Sequence, residues 1–517
     1  MNMFIGVMYT YKRSILYSAV CMCLWHAGDI YAQEVAHQKG DSWIRGLFKK
    51  ETGLVAENVP TKPASGPLKL EDCINIAIEN NMPLKIAHRN IKLAEMRVFE
   101  ARRNFLPSAA IVFEESSGRV NGRRYVGRKQ YIEGQQPIFH GGELYYGNKQ
   151  AEVNLEVTRH DYNRAKNDLI LQVKKAYYSF EKAKENRVMQ KGLSVEVEKV
   201  FEMVSKSFAN GTISKLEMLN VASQSGQIRF QLASAEGDVS VAELILKQAM
   251  NMDPKEDIDI EANLEFNKII VDYEKALAAA LLNRPEVKVN TLMTDYYIYG
   301  VNMARAKGWM KLDFMGQWGH AKEEFVSQDL GQDPDRKLES QWYAGIKGSM
   351  PFWGNTAEYS YTKEEWTPVV SAFQGTESIT SQTKAKLLDK LDYYSDKELA
   401  EIDLDKQRQE LSKARQDIIL EVKEACFGYE KALIQLDTAA NKVKYQESDL
   451  EFTRLKRGMD EIQDSAVIEG MIKLAQEKFG YVQALTDCHT TLASINKAIG
   501  IEDYYKDEVM PKQGQSN

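Results

Sequence analysis

The sequence predicts a mainly α-helical fold with a small β part, built by duplicating a unit of helix, β-hairpin and long helical hairpin. Three observations carry this. Asp168–Ala183 (DLILQVKKAYYSFEKA) and Asp417–Ala432 (DIILEVKEACFGYEKA) share nine of sixteen residues at an offset of 249. Leu155, Tyr162, Leu169, Ala176 and Ala183 recur every seven residues, and Leu404, Leu411, Ile418, Ala425 and Ala432 repeat that register 249 residues later. A seven-residue apolar repeat turns one seam of a helix toward a neighbour. Ahead of each seam lie short stretches in which apolar and polar residues alternate, the period of a two-faced strand.

In chain order, Lys12 and Arg13 precede the apolar run Ser14–Trp25, and Ile30-Tyr31-Ala32 ends in a small residue, so residues 1–32 read as an export signal. Cys21 and Cys23 do not make a lipidation site. Residues 33–67, with Pro60, Pro63 and Pro67, read as a linker. The first repeat spans 68–251: a leading helix over about 70–103 with Pro83 near its start, strands over about 108–139, and a helical hairpin over about 143–250. Glu143 to Ala209 would extend roughly 100 Å at 1.5 Å per residue. A linker covers 252–271, and the second repeat spans 272–500, with Pro285 near the start of its leading helix. Its strands fall over about 311–353 and its helical hairpin over about 396–499. Residues 501–517 form a tail.

Leu312, Phe314 and Trp318 alternate with Asp313 and Gln317, and Trp342, Ala344, Ile346 and Met350 alternate with Gln341, Lys347 and Ser349. Such strands suit either a sheet packed on a core or a wall between lipid and a pore. Gly118–Lys129, with Arg119, Arg123, Arg124, Arg128 and Lys129, and Ala321–Lys337 read as polar loops. The repeats differ in one place: about 35 surplus residues around 359–394 read as an insertion near the junction of strands and helices.

The composition excludes other classes. The net charge of -7 rules out a generally basic nucleic-acid binder. Beyond the N-terminus no apolar run is long enough for a transmembrane helix, so a membrane crossing would need a closed β-barrel. Cys73, Cys426 and Cys488 are too scattered for a metal or disulfide framework, and Cys426 and Cys488 sit about 12 Å out of register on opposite arms of one hairpin. No nucleophile elbow, phosphate loop, dinucleotide fingerprint or metal-ligand histidine pair occurs. No catalytic residue, metal or cofactor is expected.

The duplicated plan, with Ser207-Phe208-Ala209-Asn210-Gly211-Thr212-Ile213-Ser214, Leu216, Leu219-Asn220-Val221-Ala222, Pro137–Gly142 and Glu100-Ala101-Arg102 before Leu106-Pro107, resembles the TolC-like outer membrane efflux protein family over about 68–500. That resemblance implies a homotrimer. Each subunit would give four strands to a twelve-stranded outer-membrane β-barrel in contact with lipid, continued by a periplasmic α-helical barrel. The duct would serve tripartite efflux or type I secretion, with a periplasmic adaptor (membrane fusion) protein and an inner-membrane pump of RND, ABC or MFS type as partners. Adaptor contacts are expected at the hairpin turns, Gly211, Thr212, Ile213 and Ser214 in one and Gly458 and Met459 in the other. A periplasmic gate is expected at Arg457, Asp460, Glu461 and Asp464, in a second turn read as about six residues longer than the first. A competing reading is a periplasmic coiled-coil adaptor or scaffold of a transport complex.

Overall fold

Arg284 interrupts the second leading helix because the residue before a proline is pushed out of helical geometry, and Asn81 interrupts the first by leaving helical geometry to cap the segment that contains Pro83. The computed structural model describes residues 66–120, 123–261, 264, 266–326, 339–366, 376–459 and 461–505. The expected export signal, nearly all of the first linker, the tail from 506 and Asp460 lie outside the described residues. The first leading helix is split into α1 (Leu70–Asn80) and α2 (Met82–Arg103). Asn81 caps α2, its side chain accepting from the Leu84 N–H at 2.9 Å. The second is split into α5 (Tyr273–Asn283) and α6 (Pro285–Ala306), with Pro285 at the first helical position.

The first repeat continues with β1 (Ser108–Val120), β2 (Arg123–His140), α3 (Glu143–Ala209) and α4 (Lys215–Met250). The second continues with β3 (Lys311–Val326), β4 (Glu339–Phe352), β5 (Asn355–Trp366), β6 (Thr376–Lys386), α7 (Asp392–Gly458) and α8 (Asp464–Ile499). The duplicated plan expected from the sequence is therefore the architecture. The helical copies match in length: α3 and α7 have 67 residues each, and α4 and α8 have 36 each.

Three expectations are corrected. Gly118–Lys129 is mostly strand, since β1 and β2 pair as far as Val120↔Arg123. The surplus at 359–394 does not stop at the junction of strands and helices: it forms most of the antiparallel pair β5 and β6, so among the described residues the sheet has six strands in the order β1 to β6, not four. The two helical turns, residues 210–214 and 459–463, have the same length. Gly458 is the last residue of α7 and matches Ala209, whereas Gly211 matches Asp460.

The long helices lie in a row. Away from the sheet the order is α4, α3, α8, α7; nearer the sheet it is α2, α3, α6, α7. Apolar residues gather in separate clusters along this row. One joins Cys73, Val173, Phe180 and Leu246, a second joins Ala276, Val422, Tyr429 and Ile495, and a third lies near the turns. Among the described residues neither the sheet nor the row closes on itself within one chain.

Candidate functional site

Two surfaces bear on function: the two faces of the sheet and the turns at the far ends of the helices. Paired residues of an antiparallel sheet point to the same side. The pairs Ile111↔Ile132, Ile132↔Trp318, Trp318↔Trp342 and Phe314↔Ile346 therefore define one apolar face across β1 to β4. It has no core beneath it: Phe113 is 77% and Ile111 69% exposed. The opposite face carries Glu114 and Lys129, Glu133 and Gln317, and Asp313 and Lys347 on paired positions. At its helical rim His140 Nε2 meets Asp313 Oδ1 at 2.8 Å, and Lys311 donates to Glu143 at 2.5 Å. The alternation read from the sequence in β3 and β4 is borne out, and β1 and β2 share it.

The first helical turn closes with two bonds that require a left-handed residue. Thr212 N–H donates to Ser207 O at 3.0 Å and Gly211 N–H to Phe208 O at 2.9 Å, with Gly211 at φ +77°. Thr212 Oγ1 also donates to Ser207 O, and Ser214 Oγ caps α4 by accepting from the Glu217 N–H at 3.2 Å. Ile213 is half-buried against the cluster near the turns, while Gly211, Thr212 and Ser214 face outward. In the second turn Glu461 N–H donates to Lys456 O at 3.1 Å, the counterpart of the Thr212 bond. Met459 is exposed at the tip.

Of the expected gate residues, the structure joins two. Arg457, in the last turn of α7, donates from Nε to Asp464 Oδ1 at 2.6 Å and from Nη2 to Oδ2 at 3.0 Å. The cation sits at a helix C-terminus and the carboxylate at a helix N-terminus, so both helix dipoles favour the pair. Glu461 is exposed, and Asp460 lies outside the described residues.

Sequence reading missed Glu217. Its carboxylate is buried and accepts from Ser465 N–H at 2.8 Å and Ser465 Oγ at 3.0 Å, tying the start of α4 to the start of α8. The signal was present as Ser214-Lys215-Leu216-Glu217, a capping-box pattern. The glutamate instead caps the neighbouring helix.

Farther from the turns, His489 of α8 stacks on Tyr178 at 4.5 Å and meets the edge of Phe266 at 5.0 Å. Burial pushes its imidazole down to about 4, so it is neutral. Cys73, Cys426 and Cys488, the cysteines among the described residues, are free, and burial raises the thiols of all three. Among the described residues no cluster suited to a metal ion occurs, and no helix is long and apolar enough to cross a membrane.

A two-faced sheet is thus continued by an open row of helices, of which α3 and α7 have 67 residues each. The family recognised from the sequence is the one matched: residues 73–252 fit the family model described as outer membrane efflux protein. The match falls in the first repeat. The fold of the wider chain is that of solved outer-membrane channels. The Campylobacter jejuni CmeC outer membrane channel is 15% identical, with 85% of this chain and 88% of that one covered and a TM-score of 0.67. The Neisseria gonorrhoeae MtrE outer membrane channel, solved in its open state, is 15% identical, covering 84% and 89% at a TM-score of 0.64. The outer membrane protein VceC of Vibrio cholerae is 11% identical, covering 83% and 96% at a TM-score of 0.65. No curated protein matches by sequence.

Proposed function

We propose that this chain is the outer-membrane subunit of a tripartite efflux or type I secretion system, a passive duct without chemistry of its own. One observation carries the reading: both the sheet and the helix row are open among the described residues, and the outer flanks of the row are apolar and uncovered. Met82, Ile86, Leu93 and Phe99 on α2 and Leu219 and Phe230 on α4 mark one flank. Leu420, Phe427, Ile434 and Phe452 on α7 mark the other. Flanks of this kind are suited to identical neighbours, and a homotrimer brings α2 and α4 of one copy against α7 of the next. The apolar sheet face then meets outer-membrane lipid and the polar face lines water, because a barrel in lipid must have no unpaired edge. The helices extend the bore into the periplasm.

The exposed turns are the contact for a periplasmic adaptor, through Gly211, Thr212, Ile213 and Ser214 on one hairpin and Gly458 and Met459 on the other. The adaptor links the duct to an inner-membrane pump of the RND, ABC or MFS type, which supplies the energy. Arg457, Asp460, Glu461 and Asp464 form the periplasmic gate. Within it the Arg457–Asp464 pair supports a latch more than a bare charged ring, since the arginine already neutralises that carboxylate.

The test is reconstitution of the purified protein in planar bilayers. Detergent-resistant trimers from the outer-membrane fraction with stepwise ion conductance are expected. A water-soluble monomer that leaves the bilayer silent overturns the reading.

A further inference from the structure

The hairpin β5–β6 has no counterpart in the first repeat. We infer that it is a third wall hairpin: the duct closes through β6 of one subunit against β1 of the next, and six strands from each of three copies make eighteen. This rests on the trimeric channel reading above.

Four features of the sheet carry the inference. Pairing is unbroken from Trp342↔Glu365 to Phe352↔Asn355 between β4 and β5, and from Trp366↔Thr376 to Thr356↔Lys386 between β5 and β6. The outer edge of β4 is therefore occupied, leaving β6 and β1 as the free edges. The two-faced pattern also continues. Ile346 pairs with Tyr361 and Gly348 with Tyr359, extending the apolar face, where Tyr359, Tyr361 and Ile379 are all exposed. The opposite face of the hairpin sets Glu358 against Lys384 and Lys386 and carries Glu364 opposite Ser378, with Ser, Thr and Gln between them, so it adds polar wall without adding net charge.

Gly345 of β4 is fitted to this neighbour. A Cβ there would lie 2.5 Å from Thr362 Cγ2 and 2.8 Å from Tyr361 O. Across the sheet, Gly319 of β3 makes the same allowance for β2, where a Cβ would lie 2.2 Å from Gln130 O. β5 thus sits against β4 as closely as the strands of the basic sheet sit against each other.

The excursion also starts and ends at one place. Trp353 and Gly354, at φ 44° and 77°, form the two-residue turn into β5. Lys390 N–H then donates to Gly354 O at 3.0 Å, and Leu388 N–H to Asn355 Oδ1 at 2.8 Å. Trp353 is 88% exposed at this end of the sheet, an aromatic placement suited to a membrane interface. Adding two strands rather than one keeps β6 running toward the helices, antiparallel to a neighbour's β1. In lipid the backbone groups on both edges need that partner.

Girth is the consequence. With strands about 4.8 Å apart and tilted by about 40°, twelve strands give a backbone radius of about 12 Å and eighteen about 18 Å.

The test pairs cysteines in the full chain, in a background without native cysteines. Ala110→Cys or Val112→Cys in β1 is combined with Ser378→Cys, Thr380→Cys or Gln382→Cys in β6, all on the polar face. Oxidation in membranes is expected to give covalent trimers for one register. Covalent trimers from Ala110→Cys with Gln341→Cys or Tyr343→Cys in β4 instead would overturn the eighteen-strand wall and leave the channel reading intact. Monomers throughout would overturn both. Deleting residues 355–389 gives a second readout, the largest polyethylene glycol that enters from the barrel end. A cut-off radius smaller by about one third supports the wall. A larger cut-off would mean that the hairpin plugs the bore, and would overturn it.

Discussion

α4 and α8 are copies of one helix, 36 residues each and 249 residues apart, yet they live in different surroundings. α8 lies between α3 and α7 along its length, whereas α4 packs along α3 and meets α8 only toward the turns. The matching positions record this: Leu219 is 57% exposed and its counterpart Ile468 is 0%, and Leu244 is 48% exposed where Ala493 is 8%. The same helix is therefore apolar on its outer side whether or not its own chain covers that side. On the trimeric reading proposed above, the uncovered apolar positions in the first repeat mark the seat of the next subunit, and the covered ones in the second show what that contact resembles.

The largest test of this contrast is Leu219→Asp with Phe230→Asp. Each buried side chain contributes roughly 2 kcal/mol at each of three interfaces, so detergent-resistant trimers should vanish while the helical circular dichroism of the subunit remains. Trimers of normal heat resistance would break the comparison.

His489 sharpens it, because its counterpart in α4 is Ser240, which simply bonds back to Glu236 O at 3.2 Å. The folded imidazole titrates near 4, below its ordinary 6.5. An unfolded chain thus takes up this proton first as pH falls. The stabilisation is complete above about pH 6.5 and is lost toward pH 4, by up to about 3 kcal/mol per subunit. Melting temperature followed against pH should drop over that window, and His489→Phe should flatten the drop. An equal slope in both proteins would contradict the assignment.

At the turns, Glu217→Ala strands the buried Ser465 donors, at a cost of about 1–3 kcal/mol. Spin labels on α4 and α8 near the turns should then report a wider distance distribution. An unchanged distribution would mean that the cluster near the turns holds without the carboxylate.

The two tip glycines should respond with opposite signs. Gly211→Val forces a β-branched residue into left-handed backbone and costs about 1–2 kcal/mol. Gly458→Ala, in helical backbone with open space around it, should gain up to about 1 kcal/mol. Chemical denaturation of each variant measures both, and a loss in each case would refute the alignment of Gly458 with Ala209.

The smallest effect is electrical. Asp460→Ala with Asp464→Ala should lower the single-channel preference for cations, and an unchanged current ratio would remove the acidic ring while leaving the duct.

Most of the helical plan was legible because heptad seams state their period many times over: Leu169, Ala176 and Ala183 and their copies fix both length and register. The strands β3 and β4 were legible through bulky Phe314, Trp318 and Ile346. β5 and β6 were not, because one of their faces is hydroxyl and charge, and the other has only Tyr359, Tyr361 and Ile379 set among Ser381, Thr383 and Lys363. A wall strand with water on one side gives a weak apolar signal. The second turn was misread for a different reason. Gly458 invites alignment with Gly211, but the bond from Glu461 to Lys456 is the counterpart of that from Thr212 to Ser207, so Gly458 falls two positions earlier, opposite Ala209. Glu217 shows a third limit: a capping pattern reveals a helix start, not which helix it caps.

The contact between Gly354 and Lys390 separates two dimensions of the molecule. Everything below it is measured out by the matched rods and cannot be changed in one repeat alone without unseating its copy. Everything above it can be lengthened sideways by whole hairpins, since the chain comes back to the point it left. On the proposed reading, calibre is then a modular property, adjustable in steps while the helical turns at the opposite end stay unaltered.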